Sequence, residues 1–337
     1  MKVLVTGADG FVGEHLVAEL LGHRYEVTGS TLSLPPVRDT LTPDEAVSVD
    51  WKAADVRDHA ALVRLVSAVR PELVFHLSGF ASGSRARENA ALSLNVNAGG
   101  TVNLCEAVLA VREETPEFDP RILVMGSGDA YGDAAGEGVP LTEESHLRPV
   151  SPYGLSKAAQ ELAAHTYRRA HGLRILVARS FNLVGPGQGP DFVVPDFCGQ
   201  VSAIASGERP PIMYVGNLDV NRDFTDVRDG VRALREVMEL DRPAAAYNIA
   251  SGEAISIRQI LNWIVDEAGV DPEIQVDPAR VRAGEIETIR GDASRLREAT
   301  GWRPRFLIEE SVRAVYRWTA RRWERGGATS AEEGYIS

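Results

Sequence analysis

Three residues in the middle of the chain have the types and spacing for proton transfer. Ser127 follows the apolar run ILVM at 122–125, which predicts a buried strand with Ser127 at its end. Tyr153 and Lys157 are four residues apart in SPYGLSKAAQ, so a helix would place both on one face. A free tyrosine has a pKa of about 10, and we expect a neighbouring ammonium group to lower it for acid–base work. Ser127 would then hydrogen-bond the reacting oxygen.

A glycine-rich loop near the amino terminus could bind a dinucleotide. In VTGADGFVGEHL, Gly7, Gly10 and Gly13 directly follow a predicted strand and open a predicted helix. Glycines let the backbone approach a pyrophosphate, and the helix start offers free N–H groups to it. The alternative is a tight strand–helix turn without a ligand. For Tyr153 and Lys157 the alternative is that their four-residue spacing arose by chance. Their position after a strand that ends in a serine argues against this alternative.

Strand and helix patterns alternate through the first half of the chain. Nearly continuous Val/Ile/Leu runs, separated by amphipathic segments, indicate a parallel sheet covered on both faces. We predict an α/β fold with a doubly wound parallel sheet of the Rossmann type and a smaller C-terminal substrate domain. The predicted bounds are 1–181 with about 226–251 for the dinucleotide domain, 182–225 with 252–323 for the substrate domain, and 324–337 for a disordered tail.

Composition and charge argue against several classes of function. The formal net charge of −12 disfavours nucleic-acid binding, which needs a basic surface. No apolar run reaches the ~18 residues of a membrane span, and the amino terminus has no signal-peptide pattern. Two cysteines without CxxC spacing predict a reducing, cytoplasmic environment. The seven scattered histidines predict no metal site.

The GxxGxxG loop together with Ser127, Tyr153 and Lys157 resembles the extended branch of the short-chain dehydrogenase/reductase superfamily. The resemblance implies that these three residues form the catalytic triad, and that Tyr153 and Lys157 also contact the cofactor, with Lys157 on the nicotinamide ribose. The implied cofactor-binding residues are Gly7, Gly10, Phe11, Val12 and Gly13 in the loop, Ser30 and Thr31, Asp55 and Val56 in DVRD, Leu77 in HLSG, Asn95 in LNVNAGGTVNL, and Ser180.

The residues after the second strand bear on which dinucleotide is used. NAD enzymes usually carry an acid there for the adenosine 2′-hydroxyl. This chain has Gly29-Ser30-Thr31, with no acid until Asp39. Hydroxyl groups can accommodate a 2′-phosphate, so we predict that NADP(H) is preferred and that NAD(H) is possible.

The segment after Ser127 separates two reactions of this superfamily. Nucleotide-sugar 4,6-dehydratases of the branch carry Thr-Asp-Glu where this chain has Ser127-Gly128-Asp129. Gly128 cannot transfer a proton, and Asp129 is one methylene shorter than the Glu. A keto-reductase or an epimerase that uses only the triad therefore remains.

The second half narrows the resemblance. RSFNLVGPGQGPDFVVPDF, PPIMYVGNLDVNRDFTDVRDGVRAL and DPARVRAGEIETIRGDASRLREATGWRPRF are similar to GDP-6-deoxy-D-mannose reductases, and the likeness covers nearly the whole chain. It implies reduction of GDP-4-keto-6-deoxy-D-mannose to GDP-D-rhamnose. The implied substrate-binding residues are Asn182, Val193, Asn217, Arg222 and Arg282, with the two arginines on the diphosphate. For each arginine the alternative is a surface salt bridge.

Other functions stay open at this point. A nucleotide-sugar epimerase would oxidise and re-reduce with no net cofactor turnover, and a regulator could sense NAD(P) without catalysis. A double epimerase-reductase needs an additional Cys and His, whereas Cys105 lies in an apolar helical stretch. HLSGFASGSRARENA departs from the HLAAQS frequent in the family, so Gly79, Ser82 and Arg85 alter the sugar side of the pocket.

Assembly is also implied by the resemblance. The predicted helices near 89–111 and 151–170 carry apolar residues beyond the needs of one core face. The matching helices in this superfamily pair across a two-fold axis, so we expect a homodimer or homotetramer.

Overall fold

A computed structural model describes residues 1–36, 39–281 and 285–325. Its strands are β1 Lys2–Thr6, β2 Glu26–Thr31, β3 Asp50–Ala53, β4 Leu73–His76, β5 Arg121–Ser127, β6 Arg174–Ser180, β7 Asn182–Val184, β8 Ile212–Val215, β9 Asn221–Asp226, β10 Ala246–Ile249, β11 Ala254–Ser256, β12 Glu273–Val276 and β13 Thr288–Ile289. Among these residues, seven strands form one parallel sheet in the order β10-β6-β5-β4-β1-β2-β3. This confirms the predicted doubly wound α/β class.

Helices cover both faces of the sheet. They are α1 Phe11–Gly22, α2 Pro43–Val47, α3 His59–Val69, α4 Gly83–Glu88, α5 Ala90–Leu94, α6 Gly100–Glu114, α7 Pro152–His171, α8 Val193–Ala205, α9 Val227–Glu239, α10 Ile257–Ala268, α11 Ser294–Thr300 and α12 Ile308–Glu324. A π-helical turn, Asn95–Gly99, joins α5 to α6, and short 3₁₀ turns span Gly128–Ala130, Asp133–Glu137 and Pro278–Arg280.

The central strands are buried on both faces because helices pack above and below them. Every residue of β4 and β5 is buried. One apolar core joins β1 to α1 and α9, and a second joins the opposite face to α3 and α6. Such double burial explains why these strands read as continuous apolar runs instead of alternating ones.

A third core lies under the smaller sheets. It is built from α8, α10 and α12 packed against β8 and β9, with Val201, Met213, Ile260 and Val315 fully buried. The segment after β13 contributes to two cores. Trp302 belongs to the core around α9, where its indole nitrogen donates to the Asp229 carbonyl at 3.0 Å, whereas α12 belongs to the third core. Residue 324 ends α12, and most of the tail predicted to be disordered, 326–337, lies outside the described residues.

Helix α7 begins and ends where its sequence dictates. Ser151 is the N-cap, with its hydroxyl accepting from the Gly154 amide at 3.0 Å, and Pro152 occupies the first turn. Gly172 closes the helix with a left-handed conformation. In the part of the chain that the structure describes, no helix combines the length and apolar character of a membrane span.

Candidate active site

The glycine loop brings the end of β1 and the start of α1 into backbone contact. Gly7 has a φ of +68°, and Gly10 is the N-cap of α1. A Cβ on Gly13 would lie 2.1 Å from the Gly7 carbonyl oxygen, so no larger residue fits there without movement. Phe11 and Val12 open the helix and pack against the main core. Because the N-cap Gly10 has no side chain, the backbone at the helix start makes a cradle that fits a pyrophosphate.

The end of β2 lies beside this loop. The Gly7 and Ala8 amides donate to the Ser30 carbonyl at 3.0 and 3.1 Å. The Thr31 hydroxyl donates to Oδ2 of Asp9. Oγ of Ser30 and Oδ1 of Asp9 are buried and have no hydrogen-bond partner among the described residues. Buried polar atoms are normally paired. These orphan atoms and the glycine cradle therefore fit a bound dinucleotide.

Other residues predicted to contact the cofactor lie along the same edge of the sheet. The Asp55 carboxylate accepts hydrogen bonds from the Arg57 amide and guanidinium, which lower the pKa of Asp55. Val56 is buried, and its carbonyl accepts from the Asn103 side chain at 2.9 Å. Leu77 directly follows β4 and is half-buried. All three positions follow the carboxyl ends of β3 and β4, where ligands bind in open α/β sheets.

The triad residues come together at the end of β5. Ser127 is the last residue of that strand and is in register with Ser180 of β6. Tyr153 and Lys157 lie in the first turns of α7, and the Tyr153 hydroxyl hydrogen-bonds Ser127. The Lys157 ammonium lies 6.0 Å from the centre of the Tyr153 ring. One phenol, one aliphatic hydroxyl and one ammonium group thus lie together at the end of β5.

The pKa of Tyr153 differs from the expectation that Lys157 would lower it. Burial and the negative charge of Asp129 both raise this pKa, and the hydrogen bond from Ser127 lowers it only in part. The physical reason is that the phenolate form would lose hydration in the cleft. Tyr153 therefore holds its proton in the free protein.

Lys157 belongs to a buried polar network. Its Nζ donates to the Met125 carbonyl and to Oε1 of Gln160, each at 3.0 Å. Gln160 in turn donates from Nε2 to the Thr101 hydroxyl at 3.0 Å. Burial lowers the pKa of Lys157 to about 8. Gln160 is not among the residues predicted from the sequence, although its place one turn after Lys157 on α7 is a usable signal.

The π-helical turn decides which asparagine faces this network. Asn95, the predicted cofactor contact, is exposed at the start of the turn. Asn97 is fully buried and donates to the Ser156 hydroxyl at 2.8 Å. It also pairs with both backbone groups of Phe80, accepting at 2.7 Å and donating at 3.2 Å. The structure thus brings Asn97, and not Asn95, to the buried side of the site.

The loop after β4 contains the residues that differ from the HLAAQS pattern, Gly79, Ser82 and Arg85. A Cβ on Gly79 would lie 3.3 Å from Nζ of Lys157, so a side chain there would crowd the ammonium. Ser82 caps α4. Arg85 forms an ion pair with Asp191 at 3.8 Å, which links α4 to the loop before α8.

Gly128 is enclosed, and Asp129 is open. A Cβ on Gly128 would lie 3.1 Å from a ring carbon of Phe181. Asp129 is exposed, and its amide donates to the Ser127 hydroxyl at 3.1 Å. An acidic side chain at position 128 would therefore require Phe181 to move.

Two of the predicted substrate residues lie on adjoining strands. Asn182 begins β7 and donates from its side chain to the Asp223 carbonyl at 2.8 Å. Arg222 on β9 is largely buried, forms an ion pair with Glu285 at 3.3 Å and donates to the Ile286 carbonyl at 2.9 Å. Both residues thus lie in the smaller sheet that contains β7 and β9.

The remaining predicted substrate residues are more dispersed. Val193 is the first residue of α8. Asn217 lies in the turn between β8 and β9, where its Oδ1 accepts from the Asp219 amide at 3.0 Å. Arg282 lies outside the described residues.

RDFTDVRD, residues 222–229, has a structural role that was not predicted from the sequence. Asp223, Asp226 and Asp229 are almost fully buried, and each carboxylate accepts hydrogen bonds from a distant segment. Their partners are Ser251, Gly252 and Gly291 for Asp223, Ser311 for Asp226, and Arg305 and Phe306 for Asp229. The three-residue spacing of these acids is the sequence signal that could have predicted this set of hydrogen bonds. The bonds hold in place β9, the strand that carries Arg222.

No group of three or more His, Cys, Asp or Glu side chains in the described ranges 1–36, 39–281 and 285–325 could hold a metal ion. Both cysteines are free and buried, and burial raises the pKa of Cys105 to about 12.

The doubly wound sheet, the glycine cradle and the Ser127–Tyr153–Lys157 cluster define an extended short-chain dehydrogenase/reductase. A family model described as GDP-mannose 4,6 dehydratase matches residues 4–315. The chain belongs to this family.

The chain is also similar to individual relatives and solved structures. GDP-6-deoxy-D-mannose reductase of Pseudomonas aeruginosa is 34% identical over 93% of this chain and 95% of that protein. The structure of RMD from Pseudomonas aeruginosa complexed with NADPH is similar with a TM-score of 0.81 and 32% identity, covering 95% of this chain and 99% of that one. UDP-glucose 4-epimerase of Thermotoga maritima with UDP-glucose has a TM-score of 0.82 at 26% identity, covering 96% and 100%.

Proposed function

We propose that the protein reduces the 4-keto group of GDP-4-keto-6-deoxy-D-mannose and releases GDP-D-rhamnose. The observation that carries the proposal is a site with Tyr153 as protonated donor and with Gly128, backed by Phe181, in the place of a dehydratase acid. The likeness to the Pseudomonas aeruginosa reductase supports the same reaction.

The triad residues divide the work of ketone reduction. NAD(P)H, when bound, supplies the hydride. Ser127 hydrogen-bonds the sugar carbonyl and orients it toward Tyr153. Tyr153 donates its proton to the oxygen as negative charge develops there. Lys157, whose pKa of about 8 leaves it mainly cationic at neutral pH, stabilises that charge and holds the nicotinamide ribose.

The cofactor is held by the residues along the carboxyl edge of the sheet. Gly7, Gly10 and Gly13 form the pyrophosphate cradle with the first turn of α1, including Phe11 and Val12. The adenosine and nicotinamide ends are held by Ser30, Thr31, Asp55, Val56, Leu77, Asn95 and Ser180 together with the triad. We infer that NADP(H) is preferred and NAD(H) possible, as the NADPH complex of the related RMD supports.

The GDP-sugar is held where the two domains meet. Arg222, and Arg282 by the resemblance, bind the diphosphate, since a guanidinium group matches phosphate oxygens with paired hydrogen bonds. Asn182, Val193 and Asn217 contact the nucleotide. The double epimerase-reductase alternative is disfavoured because Cys105 is fully buried within the core of α6.

Incubation with the 4-keto sugar and each reduced cofactor tests the proposal. We expect one equivalent of NAD(P)H to be oxidised per product, with the C4 configuration of D-rhamnose by NMR. Product without net cofactor oxidation would identify an epimerase, and no turnover of any keto sugar would favour an NAD(P)-sensing regulator. GDP-mannose with oxidised cofactor should lose no water by mass, and a water loss abolished by Asp129→Asn would identify a dehydratase.

A homodimer or homotetramer in the cytoplasm completes the proposal. Leu94 on α5 and Leu155 and Leu162 on α7 are 41%, 54% and 64% exposed on two helices that pack together. Their apolar surface supports pairing of these helices with a second copy. Two free cysteines support a reducing compartment.

A further inference from the structure

Asp9 belongs to the glycine loop, and its carboxylate lies beside Thr31, the last residue of β2. It is half-buried between Gly7 and Gly10, and its Oδ2 accepts from the Thr31 hydroxyl. Two backbone hydrogen bonds from the loop to Ser30 hold the loop and the strand end together. The position of Asp9 is therefore fixed relative to both elements.

The other oxygen of Asp9 lacks a partner. Oδ1 is buried without a hydrogen bond in the part of the chain that the structure describes, and the Ser30 hydroxyl beside the loop is in the same condition. Burial raises the pKa of the Asp9 carboxyl. A buried carboxylate oxygen left unpaired costs free energy, so a ligand that donates a hydrogen bond there would be stabilised.

The end of β2 is where a doubly wound fold binds the adenosine ribose. In such folds an acid at the end of the strand usually binds the 2′-hydroxyl. Here the strand ends at Thr31, and the carboxylate beside it is that of Asp9 in the glycine loop. We propose that Asp9 recognises the 2′ position of the adenosine ribose and sets the ratio of NADP(H) to NAD(H) affinity. This inference rests on the proposed NAD(P)H-dependent function.

The two cofactors present different groups to this carboxylate. A 2′-hydroxyl can donate to Oδ1 of Asp9. A 2′-phosphate can accept from the Ser30 hydroxyl, but it also brings negative charge beside the carboxylate. Asp9 thus makes NAD(H) usable and limits the preference for NADP(H).

The test is calorimetric titration of NADPH and NADH into the wild type, Asp9→Asn and Asp44→Asn at one ionic strength. Asparagine keeps an acceptor for Thr31 and removes the charge. Asp44, exposed on α2, controls for the loss of one negative charge elsewhere. We expect the ratio of the NADH to the NADPH dissociation constant to rise at least ~10-fold in Asp9→Asn and to stay unchanged in Asp44→Asn.

Each other outcome overturns the inference in a recognisable way. An unchanged ratio in Asp9→Asn, or equal weakening of both cofactors in a folded variant, would reduce Asp9 to a support of the loop while leaving the proposed function intact. Failure of the wild type to bind either cofactor would remove the proposed function as well. If Asp9→Asn does not fold, Asp9→Ser gives the same comparison, with a hydroxyl that should also favour NADPH.

Discussion

Tyr153 is the residue that we propose to donate the proton in ketone reduction. Burial and the Asp129 carboxylate raise its pKa, so the side chain remains a phenol until a ketone oxygen needs the proton. The hydrogen bond that Ser127 donates to the phenol oxygen offsets only part of this rise. A tyrosine that already lacked its proton would suit oxidation of an alcohol instead.

Replacement of Tyr153 by Phe tests this assignment. The ring keeps its packing and the donor is lost, so we expect binding of cofactor and GDP-sugar to persist while turnover falls at least ~10²-fold. Steady-state rates alongside calorimetric binding constants measure both. Near-normal turnover would show that another group donates the proton.

Lys157 links catalysis to stability. Its pKa is about 8 in the folded protein against an ordinary value of 10.5, because the ammonium is buried. Between these values the unfolded chain binds more protons, so the lysine's contribution to the free energy of unfolding rises with pH. Below about pH 8 the cost of the buried charge is fully present.

Lys157→Met should reveal that cost. We expect the variant's stability relative to the wild type to be most favourable near pH 7 and to decline by pH 10, where the wild type no longer buries a full charge. Urea unfolding of both proteins at the two pH values gives the comparison. A stability difference that does not change with pH would contradict the lowered pKa.

At the scale of elements, α7 and α1 carry the site and are held in different ways. Glu161, one turn after Lys157, forms a buried ion pair with Arg179 of β6, which fixes α7 over the sheet. The start of α1 is instead held by backbone contact, with Gly13 against the Gly7 carbonyl. Removing either charge of the Glu161–Arg179 pair would leave the other charge buried and unpaired. A side chain at position 13 would overlap the backbone of the loop.

Gly13→Ala therefore has a sharp expectation. The added methyl group would overlap backbone atoms, so we expect a loss of about 1–3 kcal/mol in the free energy of unfolding and a marked loss of cofactor affinity. Gly22→Ala at the end of the same helix is the control, because nothing lies within 4 Å of its Cβ position. Equal behaviour of the two variants in denaturation and titration would refute the close-contact argument.

At the scale of the whole molecule, buried carboxylates join segments that are far apart in the chain. Asp223, Asp226 and Asp229 connect β9 and the following helix α9 to residues between 251 and 311. The exposed leucines of α5 and α7 leave an apolar surface that one chain does not cover. The buried aspartates thus hold distant segments of one chain together, and the exposed leucines support association with a second chain.

Association through α5 and α7 is testable by charge insertion. We expect the wild type to sediment as a dimer or tetramer, and Leu155→Glu combined with Leu162→Glu to shift it toward monomer, because burying these carboxylates is costly. Val47→Glu, at an 85% exposed position on α2, is the control and should leave assembly unchanged. A monomeric wild type at working concentrations would contradict the proposed assembly.

Local patterns in the sequence determined the fold class and predicted the residues proposed for catalysis. Strand–helix alternation, the glycine spacing after β1 and the four-residue interval between Tyr153 and Lys157 each depend on neighbours in the chain, so each is legible without coordinates. The glycine cradle and the cluster of Ser127, Tyr153 and Lys157 lie where these patterns placed them.

Features that depend on contacts across the chain were decided only by the tertiary structure. Within the π-helical turn, Asn97 is buried and Asn95 is exposed. Asp9 meets Thr31 across 22 residues. The pKa of Tyr153 is set by burial from several elements. No local sequence pattern encodes these, because burial and long-range pairing arise only when the sheet and its helices pack together.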